Sequence, residues 1–174
     1  MKLSLIRKIL YTYRSEKLIK DLKKMKKVHF LKEKFKQNFI LSRIFTLILL
    51  KKHDNILYKY GCDITPEAKL GKIEFRHPIG IVIGGGAIIE DDVIIHQNVT
   101  FGALKFDETE RRGLPCHQIV KKGTIICTGA KILGDVIIGE NCIVGANAVV
   151  TKDVPDGATV VGYNKIILRK DKNE

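Results

Sequence analysis

Residues 126–149 read ICTGAK-ILGDVI-IGENCI-VGANAV, and the pattern returns every six residues. A helix shows a period of about 3.6 and a two-faced strand a period of about 2, so neither explains it. Hexapeptide repeats are typical of a parallel β-helix, in which short strands alternate with tight corners. The aliphatic residue that opens each hexad is predicted to point to the axis, and a small or β-branched residue four positions later to lie near a corner. The two rows are Ile126, Ile132, Ile138, Val144 and Val150, and Ala130, Val136, Cys142, Ala148 and Val154.

The repeat extends upstream to Ile83 and is interrupted at two places. A one-residue slip precedes Ile83, and a polar segment, residues 105–118, separates Phe101 from the resumption of the repeat at Val120. One triangular coil cannot bury its aliphatic row alone, so coils must stack. A long loop within a compact repeat domain is usually functional, and we expect this one to leave at a corner and cover a groove.

Charge divides the 174-residue chain into unlike parts. Residues 1–60 hold 17 Lys or Arg and 4 Asp or Glu, whereas the rest is nearly neutral. We therefore predict an all-β core with a short N-terminal α-helical segment and a C-terminal extension. The expected parts are a basic helical segment at 1–60, a β-helix domain at 61–162 that carries the loop at 105–118, and a tail at 163–174. Such charge asymmetry suggests an anionic surface as a partner.

Two helices are predicted within the basic segment. Leu18, Leu22, Met25 and Val28 recur at helical spacing among lysines, which indicates a basic amphipathic helix. Residues 39–50 form a more apolar helix that is too short to span a bilayer, which needs about 20 apolar residues. These helices either pack on the β-helix or another subunit, or rest on anionic lipid. Nucleic acid is not an expected partner, because aromatic-interleaved base-reading motifs are absent.

The cysteines favour a reducing compartment. Cys62, Cys116, Cys127 and Cys142 show no metal-ligand spacing, and no signal peptide is evident. We expect reduced thiols and no metal. The predicted location is cytoplasmic, with peripheral contact at the inner membrane face.

Several segments resemble serine O-acetyltransferases from residue 61 onward. They are GCDITPEAKLG at 61–71, HPIGIVIG at 77–84, QNVTFG at 97–102, TGAKILG at 128–134, VGANAVV at 144–150 and KDVP at 152–155. The resemblance implies a left-handed parallel β-helix that assembles as a homotrimer or a dimer of trimers, with active sites at subunit interfaces. It also implies that acetyl-CoA lies along the outside of the coils and donates its acetyl group to a hydroxyl.

The resemblance implies catalytic roles for three residues. His77 matches the general base, and imidazole suits that task because it titrates near neutral pH. Asp63 matches the carboxylate that orients the imidazole and stabilises the imidazolium. His117, in the loop, matches a second active-site histidine.

The resemblance also implies a site for the co-substrate. A small residue, an alanine and a lysine line the CoA arm in hexapeptide acyltransferases, and a basic residue near the C-terminus meets the phosphates. The corresponding positions are Thr128, Gly129, Ala146 and Lys152 along the arm, and Arg169 or Lys165 at the phosphates.

The acceptor side departs from the family. An Asp precedes the catalytic histidine in serine acetyltransferases and an Arg precedes the second one, where this chain has Arg76 and Cys116. Arg76, Arg111 and Arg112 are the candidates for binding the acceptor. The acceptor stays open between L-serine and a sugar hydroxyl of a surface polysaccharide. We favour the sugar, because a basic N-terminus suits a glycan built at the inner membrane face.

Two other functions compete with acetyl transfer. His77, His96 and His117 invite comparison with hexapeptide carbonic anhydrases, but no two histidines stand five residues apart as that family's ligands do. The second alternative is a non-catalytic trimeric β-helix scaffold anchored by its basic N-terminus. His96 is interpreted as structural.

Overall fold

The computed structural model describes residues 2–104, 117–162 and 165–167, and the side chains of 12–104 and 117–162. The chain opens with α1 (Lys2–Lys34) and α2 (Phe39–Tyr60). Asn38 caps α2 by accepting a hydrogen bond from the Leu41 amide, and Gly61 ends it in a left-handed conformation. Both predicted helices are confirmed, and α2 continues past the predicted end at Leu50. Within the described residues, no helix is long and apolar enough to cross a membrane.

The helices pack into a hairpin whose buried face joins the core of the β-helix. Leu18, Leu22 and Met25 of α1 are buried with Ile56 and Tyr60 of α2. Asp21 accepts hydrogen bonds from Lys59 Nζ at 3.0 Å and from the Tyr60 hydroxyl at 2.9 Å. Burial alone would raise the pKa of Asp21, but these bonds outweigh it and lower the pKa. One face of each helix is therefore used for packing.

In the described part of the chain, fifteen short strands form the three walls of a prism. All pair in parallel except the last, which is antiparallel to its neighbour. Sheet 1 contains β1 (Asp63–Ile64), β4 (Val82–Ile83), β7 (Thr100–Gly102), β10 (Lys131–Leu133) and β13 (Val149–Val150). Sheet 2 contains β2 (Lys69–Leu70), β5 (Ile88–Ile89), β8 (Gln118–Val120) and β11 (Val136–Ile138). Sheet 3 contains β3 (Glu74–Phe75), β6 (Ile94–Ile95), β9 (Ile125–Ile126), β12 (Ile143–Val144), β14 (Thr159–Val161) and β15 (Lys165–Ile167).

The axial row predicted from the period is buried as expected. Each hexad's opening aliphatic residue lies inside the prism, and Ile126, Ile132 and Val144 have no exposed surface. Burying such a side chain stabilises the fold by roughly 1.5–3 kcal/mol. The chain turns at every wall in the order 1, 2, 3, and each coil stacks on the next. The predicted fold class, a parallel β-helix with an N-terminal helical segment, is confirmed.

The slip before Ile83 is the sum of two changes. In the coils above, six residues lead from the inward residue of sheet 3 to that of sheet 1, but eight lead from Phe75 to Ile83. Between sheets 2 and 3 the interval from Leu70 to Phe75 is five, where the next coil has six. The first coil is thus one residue short at one corner and two residues long at the next. The longer corner contains His77 and Pro78.

Candidate functional site

His77 lies on the lengthened corner between sheets 3 and 1. The regular backbone hydrogen bonds between the first and second coils are present on either side of His77. The Arg76 amide donates to the Ile95 carbonyl, and the Asn98 amide donates to the Ile79 carbonyl. His77 and Pro78 are therefore the two residues that the corner gains relative to the coil above. The His77 side chain is exposed, while Pro78 is buried. The insertion carries the imidazole outward from the coil.

The backbone of His77 is in an unusual conformation. Its φ is +52°, and the other non-glycine residues with positive φ in the described chain are all Asp or Asn: Asp92, Asn98, Asn141 and Asn147. Asp and Asn adopt this region readily, and histidine is the other residue type enriched there. Strained conformations at exposed polar residues cluster at functional sites. The conformation therefore supports a functional role for His77.

Three candidate CoA residues lie on the same corner in higher coils. The Gly129 amide donates to Gln97, and the Asn147 amide donates to Thr128, so these turns stack directly. Gly129 has φ +74°, and a Cβ there would collide with the Asn147 side chain. Thr128 and Gly129 are half-buried and Ala146 is exposed. The corner thus carries a column of small residues in the coils above His77.

Arg76 and His96 occupy the neighbouring positions of this corner. Arg76 Nε donates to Glu74 Oε1 at 2.9 Å, with both side chains about half exposed. The His96 amide donates to Ile126 in the next coil. Burial lowers the pKa of His96, and the charges of Arg76 and His77 add to this effect. His96 is accordingly neutral at pH 7, and Arg76, a candidate acceptor residue, already has a carboxylate partner.

Asp63 meets a histidine that the sequence analysis did not single out. His53 of α2 places Nε2 3.0 Å from Asp63 Oδ1. Asp63 begins β1 on sheet 1, directly after the turn that ends α2. Since α2 packs on β1, the helix brings His53 back over the start of the β-helix. The spacing of His53 and Asp63, ten residues apart on two elements, gives no signal in the sequence.

His117 lies on the opposite edge of sheet 1, at the corner that leads to sheet 2. Its amide donates to Asp135 Oδ1 at 2.7 Å. Next to it, the buried Gln118 donates from Nε2 to the carbonyls of Gly102 and Gly134, at 3.0 and 2.7 Å. These bonds fix the base of the loop. Within one chain, His77 and His117 therefore flank sheet 1 on opposite sides.

The other candidates divide between the same two edges or fall outside the described residues. Lys152 is exposed and follows β13, on the edge of sheet 1 that carries His117. Arg111, Arg112 and Arg169 lie outside the described residues, as do Cys116 and most of the loop. The edge between sheets 3 and 1 thus holds His77, Thr128, Gly129 and Ala146, and the other edge holds His117 and Lys152.

The described cysteines are poor nucleophiles. Burial raises the pKa of Cys62, Cys127 and Cys142, which keeps their thiols protonated at neutral pH. None of the three is in a disulfide. In residues 12–104 and 117–162, no group of three or more His, Cys, Asp or Glu side chains is arranged to hold a metal ion.

A cleft of about 350 Å³ lies between the two helices, away from His77. Asp21, Lys24, Lys52, Asn55, Ile56 and Lys59 line it. Asp21 already accepts hydrogen bonds from Lys24 and Lys59. The cleft contains none of the candidate catalytic residues, so its size does not make it the active site.

Comparison with known proteins identifies the repeat and its relatives. Residues 119–152 match the bacterial transferase hexapeptide (six repeats) family. Serine acetyltransferase from Buchnera aphidicola subsp. Schizaphis graminum is 42% identical over 115 residues, which cover 66% of this chain and 42% of that protein. The chain thus spans less than half the length of this relative.

Solved structures agree with the sequence comparison. A serine acetyltransferase in complex with cysteine superimposes with a TM-score of 0.71 at 34% identity, covering 90% of this chain and 55% of that one. A serine acetyltransferase in complex with CoA gives a TM-score of 0.67 at 32% identity, covering 86% and 55%. The coverage includes the helices as well as the coils. The resemblance seen in the sequence is confirmed: the hexapeptide-repeat β-helix of this chain is similar to that of serine acetyltransferases.

Proposed function

We propose that this protein is an acetyl-CoA-dependent O-acetyltransferase with His77 as its general base. The observation that carries the proposal is the lengthened corner, which places an exposed imidazole at the foot of a column of small residues. Imidazole Nε2 or Nδ1 takes the proton from the acceptor hydroxyl while the hydroxyl oxygen attacks the thioester carbonyl. The new C–O bond forms as the C–S bond breaks, and the departing CoA thiolate receives the proton from the imidazolium.

The column above His77 suits the co-substrate. Thr128, Gly129 and Ala146 present no bulky side chain, so the pantetheine arm can run along the corner toward His77. A serine acetyltransferase of the same fold was solved in complex with CoA. Arg169 remains a proposed phosphate contact. We propose acetyl-CoA as co-substrate and no resident metal.

The position of His117 and Lys152 supports a site shared between chains. These residues lie on the edge of sheet 1 opposite His77, so a single chain does not assemble all the candidates. In a closed three-fold ring, one edge of each subunit faces the other edge of its neighbour. We propose a homotrimer in which His77 of one protomer and His117 of the next face the same acceptor.

Asp63 is the proposed carboxylate of the site, and His53 is its proposed positioning residue. The bond of 3.0 Å between Asp63 and His53 fixes the carboxylate at the start of β1. A carboxylate held in this way can orient the catalytic imidazole and stabilise its charged form.

Two acceptors are supported by different observations. The relatives that match are named serine acetyltransferases, which supports L-serine. The pairing of Arg76 with Glu74 supports a sugar, because an arginine with a carboxylate partner is less suited to bind the carboxylate of an amino acid. We propose the sugar hydroxyl of a surface polysaccharide as the leading acceptor. A location in the cytoplasm stays a prediction.

Release of CoA tests both levels of the proposal. The purified chain is incubated with acetyl-CoA and a thiol reagent, with L-serine or with deacetylated surface polysaccharide as acceptor. We expect CoA release that depends on the acceptor and is lost in His77→Asn. Release with serine alone would remove the polysaccharide version, and no release with any acceptor would favour the scaffold over an enzyme.

A further inference from the structure

The first half of α2 is apolar on both of its faces. Residues 39–50 read FILSRIFTLILL, with Arg43 as the single charged residue. The inner face continues through Leu49 and Ile56, which are buried. On the opposite face, Ile40, Ile44 and Leu47 are 70%, 46% and 67% exposed. These three residues, spaced i, i+4 and i+7, form one line that we call the outer stripe.

An outer stripe of this kind is unusual on a helix that already packs on one side. The solvent face of a surface helix is normally polar, and a helix that is apolar all round is normally covered on all sides. Exposed Phe39 and Leu50 extend the apolar surface beyond the stripe. Contiguous apolar surface of this kind marks an interaction site rather than a solvated face.

The charges around the outer stripe are mostly positive. Residues 35–54 include Lys36, Arg43, Lys51 and Lys52 and one carboxylate, the exposed Asp54. The guanidinium of Arg43 lies over the Phe39 ring, 4.7 Å from its centroid, so charge and apolar surface are adjacent. The neighbouring α1 exposes further lysines, which are Lys20, Lys23, Lys27 and Lys34.

A partner of the stripe must therefore offer apolar surface together with negative charge. A second copy of residues 1–60 would instead bring its own excess of 17 Lys or Arg over 4 Asp or Glu. Like charges oppose that pairing. An anionic lipid surface supplies acyl chains for the stripe and negative headgroups for the cations around it.

We propose that α2 lies in the plane of an anionic membrane, with Ile40, Ile44 and Leu47 in the headgroup boundary. The basic residues around the stripe bind the lipid headgroups. The outer stripe contains none of the candidate acetyl-transfer residues. The membrane proposal is therefore independent of the proposed reaction. It names the residues for the membrane contact that the charge of residues 1–60 suggests.

Co-sedimentation of the full chain with vesicles tests the proposal. The probes are vesicles of phosphatidylcholine alone and of phosphatidylcholine mixed with phosphatidylglycerol. We expect binding to the mixed vesicles, weakened at least about 100-fold by Ile44→Ser combined with Leu47→Ser, because two apolar side chains are lost from the contact with lipid. Ile137→Ser is the matched control, since Ile137 is 42% exposed on the β-helix, and it is expected to bind as wild type does.

A charge variant and a mass measurement complete the test. Arg43→Gln with Lys51→Gln is expected to weaken binding to mixed vesicles and to reduce its salt sensitivity. Circular dichroism checks that each variant keeps its helix content. Wild type that stays unbound with both vesicles would overturn the proposal, as would a serine variant that binds like the Ile137→Ser control. A serine variant that lowers the molar mass in light scattering would assign the stripe to contact between copies and also overturn it.

Discussion

The corner between sheets 3 and 1 is built in two ways within one molecule. In the upper coils it is short and carries Thr128, Gly129 and Ala146, and stacked glycine and asparagine turns fix its backbone. In the first coil it gains His77 and Pro78, and the imidazole is carried outward. The regular corner leaves little freedom for a side chain, whereas the lengthened corner supplies a reactive group. In the proposed function, the regular corner lines the path of acetyl-CoA and the lengthened corner carries the general base.

Replacing His77 gives the largest expected effect. In His77→Asn the positive φ remains acceptable, because asparagine tolerates that region, but the base is lost. We expect the rate of acceptor-dependent CoA release to fall by about 10²–10⁴-fold, with the melting temperature nearly unchanged. His96→Asn on the next coil is the control and is expected to keep most of the activity. Equal activity in wild type and His77→Asn would show that the lengthened corner is not the reactive one.

Gly129→Ala tests how rigid the regular corner is. A Cβ at this positive φ is strained and would also meet the Asn147 side chain. Gly157→Ala is the matched control, because its φ is +69° but nothing lies within 4 Å of the added Cβ. We expect both to lower the free energy of unfolding, Gly129→Ala by about 1–3 kcal/mol more than the control. Equal losses of unfolding free energy in urea titrations would mean that the Asn147 side chain moves aside at little cost.

Removal of His53 tests whether α2 helps to set the site. His53→Leu is expected to slow acceptor-dependent CoA release about five-fold, as the loss of one hydrogen bond of about 1 kcal/mol predicts. His53→Gln keeps a donor for Asp63 and is expected to recover much of the rate. With Asp63→Asn as background, the loss from His53→Leu is expected to shrink, because both changes act on one interaction. If the rate losses of His53→Leu and Asp63→Asn simply multiply in the double variant, His53 does not act through Asp63.

His96 gives the smallest effect, one that depends on pH. Because its pKa is lowered in the folded chain, the unfolded chain binds more protons below the usual value of 6.5. The contribution of His96 to the free energy of unfolding is therefore fully present above pH 6.5, and it is lost as the pH falls through the folded pKa. We expect wild type to lose stability relative to His96→Gln between pH 7 and about pH 5. Parallel stability curves for the two proteins would contradict the assignment.

The sequence predicts the coils better than the corners. The period alone places Ile126 and Val144 inside, because each hexad repeats one geometry. It detects a net slip of one residue before Ile83, but not that Leu70 to Phe75 is short and the His77 corner long. Those two changes become distinct only when the strands are paired. The predicted end of α2 at Leu50 was too early, because the burial of Ile56 and Tyr60 depends on α1.

The composition of the site depends on topology that spacing does not reveal. His77 and His117 are 40 positions apart in the chain, and only the assignment of coils puts them on opposite edges of sheet 1. The contact of His53 with Asp63 depends on the direction in which α2 meets β1. The sequence therefore supplies the residues of the candidate site but not their arrangement.

The central claim is that the two interrupted corners meet between chains, and mixed assemblies test it most directly. His77→Asn and His117→Asn are each expected to be nearly inactive alone. Co-expressed with distinct tags and purified as mixed trimers, they are expected to recover up to about one third of wild-type CoA release, because one of the three interfaces in a mixed ring pairs an intact His77 with an intact His117. Mixed oligomers as inactive as the parent variants, under conditions where tagged wild-type mixtures keep full activity, would contradict a site shared between the two edges of sheet 1.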